Sequence, residues 1–309
     1  MNHDDLPLPI DLYAAGRGLA YVATLALIGA CAFAVLVPRW RRGGDDDQSL
    51  AARALAKAWR IAAIAAPVLL LAHLLRAWGQ VRSFLDPMDP FTWEAARPVL
   101  FATTWGRGWL AQIVTAALSI PVALFAPRRP AVGLALLGTA ALAVAGTSPL
   151  TGHAVEHPWG AGLGVGLHAL HLLGGGLWLG TLFTMFRAGL VLARESDATD
   201  VAEMVAAFSP LALIGAGLAV GAGSLLAFAY IGGIPALWGT NYGRALLIKL
   251  CLLAAAMGLG AWNWRRVRPR LGSPAATVAL RRSAGLELLI GLVLIAVTAV
   301  LVALPAPKL

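Results

Sequence analysis

Histidine is the residue type in this sequence whose chemistry and spacing most suggest a functional site. Four of the six histidines fall within residues 151–180, namely His153, His157, His168 and His171. The first two belong to a polar segment, and the other two lie inside an apolar run long enough to cross a bilayer. Imidazole binds first-row transition metals well, copper and zinc included. Ionisable side chains inside a membrane are costly and usually functional, so this stretch predicts a metal site.

The intramembrane pair is the stronger part of this site. His168 and His171 are three residues apart, so a helix places them on one face. The glycine run at 174–176 continues the same helix. Small residues let a second helix approach closely in membranes, so we expect the histidine face to point into the bundle.

The polar segment offers weaker ligands. His153 and His157 could chelate a metal if the segment were helical, but Pro158 and a preceding glycine are equally compatible with a turn. Glu156 could add an oxygen ligand or simply attract cations. Met88, in another polar loop, is an accessory candidate. Methionine is scarce in this sequence, whereas a copper pore lined by thioether ligands would contain more of it. The predicted site is therefore histidine-dominated.

The composition indicates what kind of protein surrounds these residues. Of 309 residues, 59% are hydrophobic and 13% are charged, whereas soluble domains average about 25% charged residues. We predict an all-α polytopic membrane bundle, rather than an outer-membrane barrel. Its net charge of +9 fits basic membrane loops, so we expect no nucleic-acid partner. Cys31 and Cys251 fall in apolar runs, which predicts core packing and no disulfide.

Apolar blocks define eight predicted transmembrane helices within one integral membrane domain, residues 1–309. The predicted spans are 12–37, 59–79, 98–125, 131–149, 162–186, 208–231, 245–264 and 283–304. Lys and Arg concentrate in the connectors after the first, third, fifth and seventh spans, so these connectors are predicted to be cytoplasmic and both termini extracytoplasmic.

This topology puts all six histidines, including His3, on the extracytoplasmic side. His73 and His168 lie at similar depth, roughly 10 Å inside the outer boundary. We therefore predict an intramembrane metal site built from His73, His168 and His171. The same cross-helix pair, His73 with His168, is also what axial haem ligation requires.

A short motif occurs twice at predicted helix starts. Residues 103–107 read TTWGR and residues 240–244 read TNYGR. Four spans separate the copies, which suggests a 4+4 parallel repeat with halves 1–150 and 151–309. The competing interpretation is that an aromatic residue, glycine and arginine form an interfacial anchor.

Two charged residues in the last two spans have alternative interpretations. Glu287 could relay protons or ions through the membrane, or it could pair with the loop residues Arg281 or Arg282. Lys249 is expected to extend its amine to the interface. We find no nucleotide-binding, zinc-protease or nucleophile-elbow motif, so the sequence predicts no enzyme.

Several motifs, mostly in the second half, are typical of one family. They are Gly152-His153-Ala154, HALHLLGGGLWLG at 168–180, YGRALLIKL at 242–250, NWRR at 263–266, PRL at 269–271, Glu287 and the segment 301–307. On these motifs the sequence resembles the bacterial copper-resistance protein CopD family. The resemblance implies a copper ion as the metal, an inner-membrane location, copper transport from periplasm to cytoplasm, and a periplasmic carrier of the CopC type as partner.

The predicted function is therefore copper transport through a histidine-lined site in the outer half of the membrane. Two alternatives remain open. One is a haem-binding membrane oxidoreductase that uses intramembrane histidines as axial ligands. The other is a copper-binding protein that docks a periplasmic carrier without transporting the ion.

Overall fold

The fold is a bundle of long helices. The computed structural model describes residues 9–40, 49–86 and 88–307, and this part of the chain contains helices but no strands. Eight of these helices are long and apolar enough to cross a membrane, which confirms the predicted all-α polytopic bundle. The helices are α1 (Pro9–Leu36), α2 (Leu50–Arg82), α3 (Trp93–Ala102), α4 (Thr104–Phe125), α5 (Pro130–Thr147), α6 (Ala161–Leu190), α7 (Ala198–Ile231), α8 (Asn241–Trp262) and α9 (Pro274–Leu301). The protein is a multi-pass membrane protein.

The third predicted span, 98–125, is two helices in the structure. The short helix α3 ends at Ala102, and α4 begins at Thr104. Between them Thr103 is extended, with φ −95° and ψ 159°, and its hydroxyl accepts a hydrogen bond from the Gly106 amide at 2.9 Å. Because this cap satisfies an amide at the start of a helix, α4 begins anew instead of continuing α3.

The second copy of the motif has the same local structure. Thr240 is extended, with φ −122° and ψ 152°, and its hydroxyl accepts from the Gly243 amide at 3.0 Å. A short helical turn, Ala236–Gly239, precedes it, as α3 precedes α4. A methyl group on Gly106 or Gly243 would collide with the backbone of the preceding helical segment. The glycine of each motif therefore has a packing role, which an interfacial anchor alone does not require. The 4+4 repeat stays a prediction.

Helix α1 lies at the centre of the bundle. It packs along α2 and also contacts α5, α6 and α9, and 78% of its apolar window is buried. For α8 the corresponding share is 11%, which places α8 at the periphery. Cys31 on α1 is buried as expected, but Cys251 on α8 is exposed, so the core-packing prediction was wrong for Cys251.

The glycines of α6 bring three helices into backbone contact. A side chain on Gly180 would overlap the carbonyl of Leu25 on α1, and one on Gly29 would overlap the backbone at Gly180. On the opposite side, Gly174 packs in the same way against Gly215 of α7. The predicted close approach at the glycine run is confirmed, because only residues without a Cβ permit these crossings.

Candidate functional site

A cavity of about 210 Å³ lies between α1, α6, α7, α8 and α9. Residues 148–154, which precede α6, form part of its wall. Most of the lining is apolar, as in typical ligand sites, with a small number of polar side chains. The larger polar side chains are Arg17, Tyr21, His168, His171, Tyr230, Tyr242 and Lys249. The predicted histidine face of α6 therefore points into the bundle and onto a cavity.

The ring of His171 is held by a hydrogen bond to a neighbouring helix. Its Nδ1 lies 2.6 Å from the backbone carbonyl of Ala219 on α7. A carbonyl only accepts, so Nδ1 carries the proton and donates. The lone pair is then on Nε2. Metal-binding histidines usually donate their other ring N–H to a carbonyl or carboxylate in this way, which fixes the tautomer and the ring orientation.

His168 lies one turn away on the same cavity wall and contacts Tyr230 of α7. Its Nε2 is 3.4 Å from the Tyr230 hydroxyl, and the two ring centroids are 6.0 Å apart. Tyr230 also packs edge-on against His157, at 5.2 Å between centroids. Tyr230 thus connects the polar loop with the intramembrane histidine, and it was not a predicted site residue.

His157 is a buried residue of the loop, with only 4% of its surface exposed. The backbone amide of Trp159 donates to its Nδ1 at 3.1 Å, so the ring proton is on Nε2. Nε2 is buried and has no hydrogen-bond partner. In this tautomer neither nitrogen has a free lone pair, and the arrangement supports a packing role beside Tyr230. Burial lowers the pKa of His157 below its ordinary value of 6.5.

His157→Asn is expected to flatten the acid side of the pH–stability profile. An imidazole whose pKa is lowered by folding stays neutral where the unfolded chain is protonated, so stability is lost as the pH falls below about 6.5. Asparagine keeps an acceptor for the Trp159 amide and does not titrate. Melting temperatures of both proteins measured between about pH 7.5 and about pH 5.5 test this. Parallel profiles would contradict it.

The cavity lining carries positive charge. Arg17 and Lys249 both line it, and no carboxylate does among the described residues. The expectation that Lys249 extends to the interface is thus not met, because its side chain lies on the wall that also holds His171. Cations near a cation site oppose binding, and the opposition grows with the charge of the ion.

Trp178 on the cavity wall connects the cavity with the buried Glu287. Trp178 lines the cavity, and its indole N–H donates to Oε1 of Glu287 at 3.2 Å. The amide of Asn263 donates to Oε2 at 3.4 Å, and Glu287 is 4% exposed. The alternative pairing with loop arginines was wrong, since Arg281 donates instead to the carbonyl of Leu190 at 2.6 Å.

Both donors to Glu287 come from π-helical segments. Trp178 lies in Gly176–Gly180, and Asn263 begins Asn263–Val267. π-helical turns inside α-helices are rare and often occur at functional sites, because the extra residue redirects side chains. The two segments here direct an indole and an amide at the same carboxyl group.

The structure does not bring His73 to the other intramembrane histidines. His73 lines a separate, smaller cavity with Arg76, whereas His168 and His171 line the larger one. Arg76 Nη1 lies 3.5 Å from His73 Nδ1. The cross-helix pair that axial haem ligation requires therefore does not face a common cavity.

The remaining predicted ligands are dispersed. Residues 153–156 form a 3₁₀ turn that ends before His157, so the two loop histidines do not share a helical turn. Met88 is 94% exposed, and Glu156 is exposed with a partner of its own. Neither residue lines the large cavity. His3 and the side chain of His153 lie outside the described structure, and among the described side chains no three of His, Cys, Asp and Glu group together.

Sequence reasoning missed two buried arginines. Arg17 and Arg76 fall within the first and second predicted spans, and only 7% and 3% of their surfaces are exposed. The rule that intramembrane charges are functional candidates applied to them as it did to histidine. Both lie within apolar spans, whereas most Lys and Arg residues of this sequence lie in the connectors.

Comparison with known proteins identifies the family. Residues 8–163 match the model described as "Copper resistance protein D-like, N-terminal domain", and residues 202–301 match "Copper resistance protein D". The chain belongs to the copper resistance protein D family. The two matches leave residues 164–201 between them, so His168 and His171 lie outside both matched ranges.

One curated relative is similar over nearly the whole chain. It is "Copper transport protein CutJ" of Bacillus subtilis (strain 168), 29% identical over 317 aligned positions that cover 95% of this chain and 53% of the relative. The chain thus spans about half the length of this relative. No solved structure matches the chain significantly.

Proposed function

We propose that the protein transports copper ions across the membrane, from the extracytoplasmic side to the cytoplasm, through the large cavity. The observation that carries the proposal is the hydrogen bond from His171 Nδ1 to the Ala219 carbonyl at 2.6 Å. It leaves Nε2 as a lone-pair donor on the cavity wall, one helical turn from His168. Imidazole nitrogen is a good copper ligand. Membership of the copper resistance protein D family supports copper as the ion, and the name of the B. subtilis relative supports transport.

The charge of the lining favours a singly charged ion. Arg17 and Lys249 repel a divalent cation about twice as strongly as a monovalent one. Two imidazoles supply no negative charge to offset this repulsion. We infer that copper enters the cavity as Cu(I).

The polar loop reaches the cavity wall through rings that pack on one another. His157, Tyr230 and His168 form a contiguous column from the polar loop to the cavity. In the proposed orientation this loop faces outward, where a periplasmic carrier of the CopC type would deliver copper. We infer import because, in that orientation, the loop and the two imidazoles lie in the extracytoplasmic half of the protein.

Removal of both cavity imidazoles tests the site. The double variant His168→Ala with His171→Ala is expected to lose Cu(I) binding by the purified protein at least about tenfold, because the two lost ligands together contribute more than about 1.4 kcal/mol. Copper uptake into proteoliposomes should fall in parallel. Met88→Ala is the matched control, since Met88 is exposed far from the cavity wall and should leave both quantities unchanged.

The outcomes separate the competing interpretations. Undiminished binding by a folded double variant would overturn the site assignment. Binding without flux in proteoliposomes that contain only this protein would support a carrier-docking protein over a transporter. Uptake by whole cells compared with uptake by inverted membrane vesicles distinguishes import from export.

A further inference from the structure

A second cavity lies beside the first and is lined by a different kind of chemistry. Its volume is about 10 Å³, room for one water-sized particle or one small ion. The polar groups on its wall are Arg17, Arg76, His73, Tyr21, Thr24 and Ser148. Arg17, Tyr21 and Ser148 also line the large cavity, so the two spaces share one wall.

The two arginines are buried without an acidic partner. Arg17 donates to the Tyr13 hydroxyl at 2.6 Å and to the Thr151 carbonyl at 3.2 Å. Arg76 donates to Gln112 Oε1 at 2.9 Å and to the Thr151 hydroxyl at 2.5 Å. None of these acceptors is a carboxylate, and no ion pair joins either guanidinium to a carboxylate among the described side chains.

Two like charges that contact the same residue, Thr151, repel each other strongly in a low-dielectric interior. Leaving one buried charge uncompensated is already strongly destabilising. A negative charge between the two guanidinium groups would remove both costs. Among the described residues, no carboxylate supplies such a charge.

The fully buried side-chain nitrogens of this cluster that have no partner are all donors. Arg17 Nε and Arg76 Nε are buried and have no acceptor. Arg76 approaches Nδ1 of His73, and a guanidinium only donates, so Nδ1 accepts and the proton is on Nε2. His73 Nε2–H is also buried without a partner. A tautomer fixed in this way has no lone pair free for a metal ion, so His73 suits an anion better than copper.

We propose that the small cavity binds a single monatomic anion, a halide such as chloride, between Arg17, Arg76 and His73. Three donors without acceptors and two uncompensated positive charges select a ligand that accepts hydrogen bonds and carries negative charge. The size of the cavity excludes sulfate and phosphate. The anion would also offset the charge of Arg17 where this side chain borders the large cavity.

Thermal unfolding of the full chain in detergent, free of copper, tests the proposal. Chloride or bromide is titrated into gluconate at constant ionic strength, with sulfate as the comparison. We expect a saturable rise in melting temperature of about 5 °C for the halides and none for sulfate, since a ligand that binds only the folded state stabilises it. Equal melting temperatures in chloride and gluconate would overturn the proposal in favour of a bound water.

Two variants test whether the halide binds in the small cavity. Arg76→Gln and His73→Phe each remove one donor, and each should move the halide midpoint to roughly tenfold higher concentration. Arg107→Gln, at an exposed position, is the matched control. If Arg76→Gln does not fold, the halide midpoint of His73→Phe alone decides the test. A halide midpoint that is unchanged in the folded variants would place the anion elsewhere and refute the site.

Discussion

Gly180→Val is expected to reduce the amount of folded protein in the membrane by roughly tenfold or more. Gly180 lies where α6 crosses α1, and a Cβ there would overlap the carbonyl of Leu25. The obstructing atom belongs to a helix backbone, so no side-chain rotation relieves the overlap. The helices would have to separate, and the wall that α1 and α6 contribute to the large cavity would be lost with them.

The measurement is the yield of monodisperse protein after detergent extraction, compared at equal expression. Gly217→Val is the matched control, because a Cβ on this helical glycine meets nothing within 4 Å. Both variants add the same atoms to a glycine in a long helix, so the comparison separates the crossing from any intrinsic effect of valine. Equal yields for the two variants would show that α1 and α6 do not cross in close contact.

Glu287→Gln is expected to lower the rate of copper transport by roughly tenfold or more while leaving copper binding in the large cavity within about twofold of the original. Glutamine has the shape of the carboxyl group and can still accept from the Trp178 indole. It cannot gain or lose a proton. The variant therefore removes the ionisable carboxyl group behind Trp178 without enlarging any space, and it tests whether that group is needed for the ion to leave the cavity inward.

Initial rates of Cu(I) uptake into proteoliposomes and Cu(I) affinity of the purified protein are the two quantities to compare. Glu94→Gln makes the same chemical change at an exposed position in α3 and is expected to alter neither. An uptake rate for Glu287→Gln equal to that of the unmodified protein would exclude a transport role for Glu287. A parallel loss of binding and uptake would assign it to the binding site itself.

The helices and the inward face of α6 could be predicted from the sequence because both follow from local periodicity. Apolar blocks of bilayer length fix the spans, and three-residue spacing fixes the shared face of His168 and His171. The copper family was evident from motifs such as HALHLLGGGLWLG. The break at Thr103 was less predictable, since its cap competes with an apolar run that continues across it.

The partners of each side chain could not be predicted, because they depend on which helices meet. Depth alone placed His73 with His168, but depth does not fix the direction in which a side chain points around its helix. Ala219 orients His171 through its backbone carbonyl. Every residue type has this group, so the sequence does not indicate the contact. The hydrogen bond between Trp178 and Glu287 joins residues that are 109 positions apart in the sequence. It depends on a π-helical turn, which no sequence pattern predicted.

The central position of α1 has a consequence for biosynthesis. α1 enters the bilayer before the helices α6 and α9 that surround it have been translated. The Thr151 carbonyl that accepts from Arg17 lies 134 residues later in the chain, which corresponds to a delay on the order of 10 s at ordinary translation rates. During that interval the Tyr13 hydroxyl, four residues away on the same helix, is the acceptor available to Arg17. Tyr13 thus supplies a hydrogen-bond acceptor to a charged side chain before the neighbouring helices are present, and the bundle around α1 is completed only when α9 has been inserted.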